Sequence, residues 1–144
     1  MNRLPSIIVA DASVVAKWVV VEPDSPIAEA LAVGRTLLAP DLMLVECSNI
    51  LWKHVRRGLL STMESQEAFS LLMAVEFRLT RDVDLLVDAH RLAGDLGHPV
   101  YDCLYLALAL RHGVPLVTAD RRFAALAERS AVLAATLIPL SALV

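Results

Sequence analysis

Ile7-Ile8-Val9-Ala10 is an unbroken apolar run that stops at an acid, Asp11. Such a run predicts a strand buried on both faces, and the aspartate at its end predicts the N-cap of a helix reaching about residue 20. The segment Glu22-Pro23-Asp24-Ser25-Pro26 breaks that helix, and a second follows over about residues 26–33, ending at Gly34. Residues 36–39 predict another strand, after which Pro40-Asp41 starts a helix over about 42–57 that stops at Gly58. Ser61-Thr62 with Glu64 and Glu67 starts the next helix, to about residue 75, and residues 76–80 predict a third strand. Residues 82–96 are amphipathic and helical; Gly97-His98-Pro99 separates them from a very apolar helix over 100–112, closed by Gly113. A strand over 114–118, a helix over about 120–128 and a last strand over 136–140 complete the chain.

Strands separated by helices predict parallel pairing through right-handed crossovers, hence an α/β protein: a three-layer α/β/α sandwich with a mainly parallel central sheet. Sites in such sheets form beyond the carboxyl ends of strands, and Asp11 and Asp120 lie just past two of them. The 144 residues show no repeat, linker or low-complexity tract, so one domain over 1–144 is expected.

Composition sharpens this picture. A hydrophobic fraction of 57% and mean hydropathy of +0.60 suggest a buried sheet, buried helices or an apolar oligomer interface. The cleanest apolar run, Cys103 to Leu110, falls far short of the roughly 20 residues that span a bilayer, so no membrane insertion is expected. The apolar run after Arg3 is too short for a signal peptide, which points to the cytoplasm. Cys47 and Cys103 fall among apolar helical neighbours without zinc-site spacing and read as reduced core thiols. A net charge of −3 argues against nucleic-acid binding through a broad basic surface, although the local pairs Arg56-Arg57 and Arg121-Arg122 remain.

Four acids, Asp11, Glu46, Asp102 and Asp120, each fall where an apolar strand ends or inside an apolar helix. An unpaired carboxylate is costly in such places, and few cations lie nearby in sequence, so a shared divalent ion is the leading explanation. Structural alternatives stand beside it. Asp11 and Asp120 are well placed as N-caps, and Asp102 in a first helical turn interacts favourably with the helix dipole. Glu46 shares a helical sector with Asn49, Lys53 and Arg57, which reads equally as a solvent stripe, though Leu42 and Ile50 flank it. Ser13 and Thr118, each two residues from an aspartate, either orient carboxylates or make local backbone bonds. His54, His90, His98 and His112 share no spacing, and none is assigned to a metal.

Taken together, Val9-Ala10-Asp11-Ala12-Ser13, Glu46 with Asn49, the run Tyr101-Asp102-Cys103-Leu104-Tyr105-Leu106-Ala107, and Leu116-Val117-Thr118-Ala119-Asp120 followed by Phe123 form an ordered pattern. In it the sequence resembles the PIN-domain ribonucleases, and among them the VapC-type toxins of toxin–antitoxin pairs, over essentially the whole chain. The resemblance implies a PIN-like fold and a metal-dependent endoribonuclease in which Asp11, Glu46, Asp102 and Asp120 hold Mg²⁺ or Mn²⁺, with Ser13, Asn49 and Thr118 in support. It also implies a cognate antitoxin and, together with the apolar composition, a homodimer, for which the helical region 68–75 offers surface. Some relatives carry a further acid after the last aspartate, where Arg121 and Arg122 stand here, so a second metal position is expected to be weak or absent. An acidic protein bridged to RNA by metal needs few further cations, and Lys53, Arg57, Arg121 and Arg122 are the candidates for distal phosphates.

Two other classes compete. A phosphatase or phosphoacceptor domain also places an aspartate after its first strand, but the phosphatase pattern wants a second acid where Ser13 stands. Receiver domains want a lysine late in the chain, and the only lysines are Lys17 and Lys53. An inactive PIN-like binding scaffold is the remaining alternative, and the acids at all four positions argue against it.

Overall fold

In the computed structural model, which describes residues 3–143, five short strands form one sheet. They are β1 (Ile7–Ala10), β2 (Thr36–Pro40), β3 (Arg78–Thr80), β4 (Leu116–Thr118) and β5 (Leu137–Pro139), in the order β3-β2-β1-β4-β5. Every pairing is parallel, with Ile8 opposite Leu37 and Val9 opposite Leu116. Because β1 pairs with β2 on one side and β4 on the other, the chain reverses direction across the sheet there and opens a crevice beyond the carboxyl ends of β1 and β4. The expected domain over 1–144 includes Met1, Asn2 and Val144, which lie outside the described residues.

Among the described residues eight helices connect the strands: α1 (Ala12–Val15), α2 (Ser25–Ala32), α3 (Leu42–Arg56), α4 (Thr62–Met73), α5 (Asp82–Leu96), α6 (Val100–His112), α7 (Arg121–Ala124) and α8 (Ala131–Thr136). The helix that reads as too apolar for a wet face, α6, is the core helix: Cys103 through Ala109 are all buried, and it packs on β1, β2, β4 and α5. Truncating a fully buried leucine there, such as Leu106 or Leu108, costs about 2–5 kcal/mol. Helix α4 begins with the capping box that Ser61 and Glu64 predict, each side chain bonding the other's backbone amide. Among the described residues no helix is long and apolar enough to cross a membrane.

The structure corrects several boundaries. The helix expected over 11–20 is one α turn, α1, followed by a 3-10 turn over Ala16–Trp18. Its continuation is replaced by tertiary bonds: Trp18 Nε1 donates to the Ala28 carbonyl at 2.9 Å, the indole stacks on Phe77, and Lys17 pairs with Glu22 and Asp24. The strand expected over 114–118 begins at Leu116, since Pro115 has no N–H to give a ladder although its carbonyl still accepts from Val9 at 2.9 Å. Only Arg78–Thr80 of the 76–80 strand pairs, as a short edge strand. The helix expected over 120–128 is α7 plus a 3-10 segment over Ala125–Arg129, and α8, capped by Ser130, was not anticipated.

Candidate active site

Four separate segments deliver the acids to the crevice. Asp11 follows β1 and caps α1, Glu46 projects from α3, Asp102 from the first turn of α6, and Asp120 follows β4 and caps α7. All four line one cavity of about 500 Å³, together with Ser13, Asn49, Lys53, Tyr101 and Tyr105 among others. Cap and site are therefore not exclusive at Asp11 and Asp120: each has one oxygen facing the helix it starts.

Each carboxylate is oriented by a protein donor. Asp11 Oδ1 accepts from Ser13 Oγ at 2.5 Å and the Val14 amide at 3.3 Å. The Tyr105 hydroxyl donates to Glu46 Oε1 at 2.6 Å, bridging α6 to α3. His98 Nε2 lies 2.7 Å from Asp102 Oδ2, with its ring buried and stacked on Phe123 at 5.3 Å between centroids. Asp120 Oδ1 accepts from the Arg122 and Phe123 amides at 2.9 and 3.2 Å. Ser13 and Thr118 join the two strand ends: Ser13 Oγ accepts from the Ala119 amide at 2.9 Å, Thr118 Oγ1 accepts from the Asp120 amide at 3.0 Å, and the two hydroxyls lie 3.4 Å apart.

The electrostatics bind the four into one unit. Burial pushes Asp11 up from the usual carboxylate range to about 7, with bonds from Ser13 and Thr118 opposing and the charge of Asp102 adding to the rise. Glu46 is raised by burial and by the charges of Asp102 and Asp82, against the Tyr105 bond; Asp102 is raised by burial and by Asp120, against His98. Burial and the charge of Glu46 hold the Tyr105 hydroxyl protonated, so it acts as a donor. Asp120 is exposed, so the cost of burial that singled it out in the sequence does not apply to it.

Among the described residues no three His, Cys, Asp or Glu side chains stand in a ready-made metal cage. The donor set nevertheless fits a hard divalent cation. It is all oxygen, it carries mutually repelling charge, and such ions keep several waters and need only a few carboxylates plus substrate oxygens.

A family model described as PIN domain matches residues 8–129. The chain belongs to the PIN-domain family. This PIN domain is 39% identical to Ribonuclease VapC3 of Pyrobaculum aerophilum over 122 residues, 81% of this chain and 92% of that protein. Among solved structures it resembles PAE2754 from Pyrobaculum aerophilum, with a TM-score of 0.68 and 22% identity over 94% of this chain and 85% of that one. It also resembles Mycobacterium tuberculosis VapC20, described as a sarcin-ricin loop cleaving toxin, with a TM-score of 0.62 and 16% identity over 82% of this chain and 93% of that one. These structural likenesses support the fold alone.

Of the other residues singled out in the sequence, Ser13, Asn49 and Lys53 line the PIN domain's cavity, while Thr118 is wholly buried behind it. Arg57 borders an adjoining cavity, Arg121 a smaller one beside Asp120, and Arg122 is exposed and meets Asp120 through its backbone amide. Sequence reasoning missed His98 and Tyr105 as partners of the acids. The first had a readable signal, a histidine four residues before an aspartate across a helix start. The second joins residues 59 apart and had none.

Proposed function

We propose that this PIN domain is a metal-dependent endoribonuclease and the toxin of a toxin–antitoxin pair, with Asp11, Glu46, Asp102 and Asp120 as its catalytic and metal-holding residues. The observation that carries the reading is the convergence of four acids from distant segments on one cavity at the carboxyl end of the sheet. Identity to a protein named Ribonuclease VapC3 supports the activity, and a structural neighbour described as a toxin–antitoxin complex from Klebsiella pneumoniae, with a TM-score of 0.51, is in keeping with an antitoxin partner.

The cation would be Mg²⁺ or Mn²⁺, held by the four carboxylates, and it would supply Lewis-acid polarisation of the phosphate and offset the charge developing on its oxygens and on the leaving oxygen. The chain's own residues do the rest. Ser13 and Thr118 hold Asp11 and Asp120 in register across β1 and β4, Tyr105 fixes Glu46, and His98 fixes Asp102, so the acids are arranged before substrate arrives. One carboxylate takes the proton of the attacking water.

The same reading places the protein in the cytoplasm as one domain, with an antitoxin that covers the acids, inserting a basic side chain among them. It also makes the protein a homodimer, for which exposed Leu71, Met73 and Val75 supply apolar surface. Calorimetric Mn²⁺ titration beside single-turnover cleavage of structured RNA tests the site: wild-type values in an Asp102→Asn protein would overturn it. Sedimentation showing only monomer at micromolar concentration would remove the dimer.

A further inference from the structure

Between Glu46 and Glu64 the chain has no acid, yet it carries Lys53, His54, Arg56 and Arg57, in a protein whose net charge is −3. All four basic residues lie at the carboxyl end of α3 or in its cap, the same helix whose amino-terminal half presents Glu46 to the active-site cavity. A second cavity of about 330 Å³ is lined by Trp52, Lys53, Arg56 and Arg57. Lys53 lines both cavities, so the two adjoin. Trp52 is 54% exposed, and the Arg56 guanidinium lies 5.6 Å from the centre of its ring.

We propose that this end of α3 is the substrate track: RNA leaving the acid cavity in single-stranded form runs over Lys53, Arg56 and Arg57, with a base stacked on Trp52. The inference rests on the ribonuclease reading and deepens it. Three points of chemistry carry it. A polyanion needs cations, and Lys53 is the one that lines the acid cavity among the described residues; Arg56 and Arg57 extend it into a group of three, whereas Arg121 stands singly beside Asp120 and Lys17 is paired with Glu22 and Asp24. An exposed indole beside arginines is the combination that binds single strands without reading sequence, the ring by stacking and the cations by phosphate contact. The distance also suits: six to eleven residues beyond Glu46, at about 1.5 Å per residue, lie about 9–16 Å away, a reach of about three to five stacked nucleotides. The competing account is a solvated helix end whose cations only complement the helix dipole, and that account predicts no RNA phenotype.

The test separates the track from the activity. Binding is measured with the Asp102→Asn protein and a single-stranded oligouridylate of about 12 nucleotides, across a salt series. Replacing Lys53, Arg56 and Arg57 together by Gln weakens binding at least about 30-fold at low salt and lowers the slope of log K against log salt by about 2, at about 0.7 per phosphate contact on single strands. RNA quenches tryptophan fluorescence in the parent, and Trp52→Leu abolishes that quenching, because the other tryptophan, Trp18, is stacked on Phe77. With the acids and Lys53 intact, replacing Arg56 and Arg57 together by Gln, both outside the acid cavity, raises KM and leaves kcat nearly unchanged. Arg78→Gln, at the amino end of edge strand β3 and so at the opposite end of the sheet, changes none of these. An unchanged salt slope in the triple variant, or an equal loss per charge in Arg78→Gln, overturns the track. The ribonuclease reading fails separately, by absence of RNA cleavage in the wild-type chain with Mn²⁺.

Discussion

Replacing Asp11 by Asn removes one buried negative charge and little else, since Asn caps a helix about as well as Asp and its oxygen still accepts from Ser13 and Val14. In the metal-free wild type, the folded state lifts this carboxyl from 3.8 to about 7, so between those values the folded chain binds more protons than the unfolded one. The favourable contribution of the protonated form is therefore fully present below the unfolded value and is lost as pH rises through about 7, at about 1.36 kcal/mol per unit. From about pH 5 to about pH 8 the wild type loses about 3 kcal/mol through this group, whereas the Asn variant loses none of it. The measurable quantity is the difference between the two proteins, which cancels capping and packing terms: in urea melts with chelator, the variant's advantage over wild type grows by about 3 kcal/mol over that interval. Saturating Mn²⁺ reverses the comparison, stabilising wild type by mass action and the variant little. An advantage that is flat with pH would refute the claim that Asp11 is ionised at a desolvated site.

Three further outcomes follow from the contacts described. Tyr105→Phe keeps the buried ring but frees Glu46, and should cut Mn²⁺ affinity and single-turnover cleavage by about 10–100-fold; in a Glu46→Gln background the same change should add almost nothing. His98→Ala should reduce cleavage by a similar factor of about 10–100 with partial recovery in His98→Gln, measured at saturating Mn²⁺. Burial raises the Cys47 and Cys103 thiols to about 12 and about 11, so a thiol reagent at neutral pH should react only at the rate of unfolding, and fast labelling of the native protein would contradict the buried placement.

The sequence made the sheet legible because buried parallel strands leave short apolar runs, and Ile7–Ala10 and Leu116–Thr118 each end at a polar boundary that the fold uses as a helix cap. Asp11, Glu46 and Asp102 were legible as charges set against apolar surroundings, whereas the exposed Asp120 was legible only by its place after a strand. Local pattern fails where a distant partner decides. The 3-10 turn at Ala16–Trp18 depends on Ala28 and Phe77, and the Tyr105–Glu46 bond depends on α3 lying beside α6, neither of which periodicity encodes. The short α8 was lost because its six residues, Ala131–Thr136, are too few to show a helical period before β5 begins.

The position of β1 sets an order of events during synthesis. Its neighbour β2 follows within a few tens of residues, but β4, on its other side, is not made until Leu116 has been added. Until then the Asp11 amide lacks its acceptor, the Val117 carbonyl, and Ser13 lacks both Thr118 and the Ala119 amide. A nascent chain ending before β4 thus carries three of the four acids on a half-built sheet and has no closed cavity to put them in. Closing a loop of this length is slow compared with forming the local helices, so competence arrives late and in a single step. A ribosome that still holds most of this chain therefore holds a protein without its fourth acid and without the strand end that seats the first.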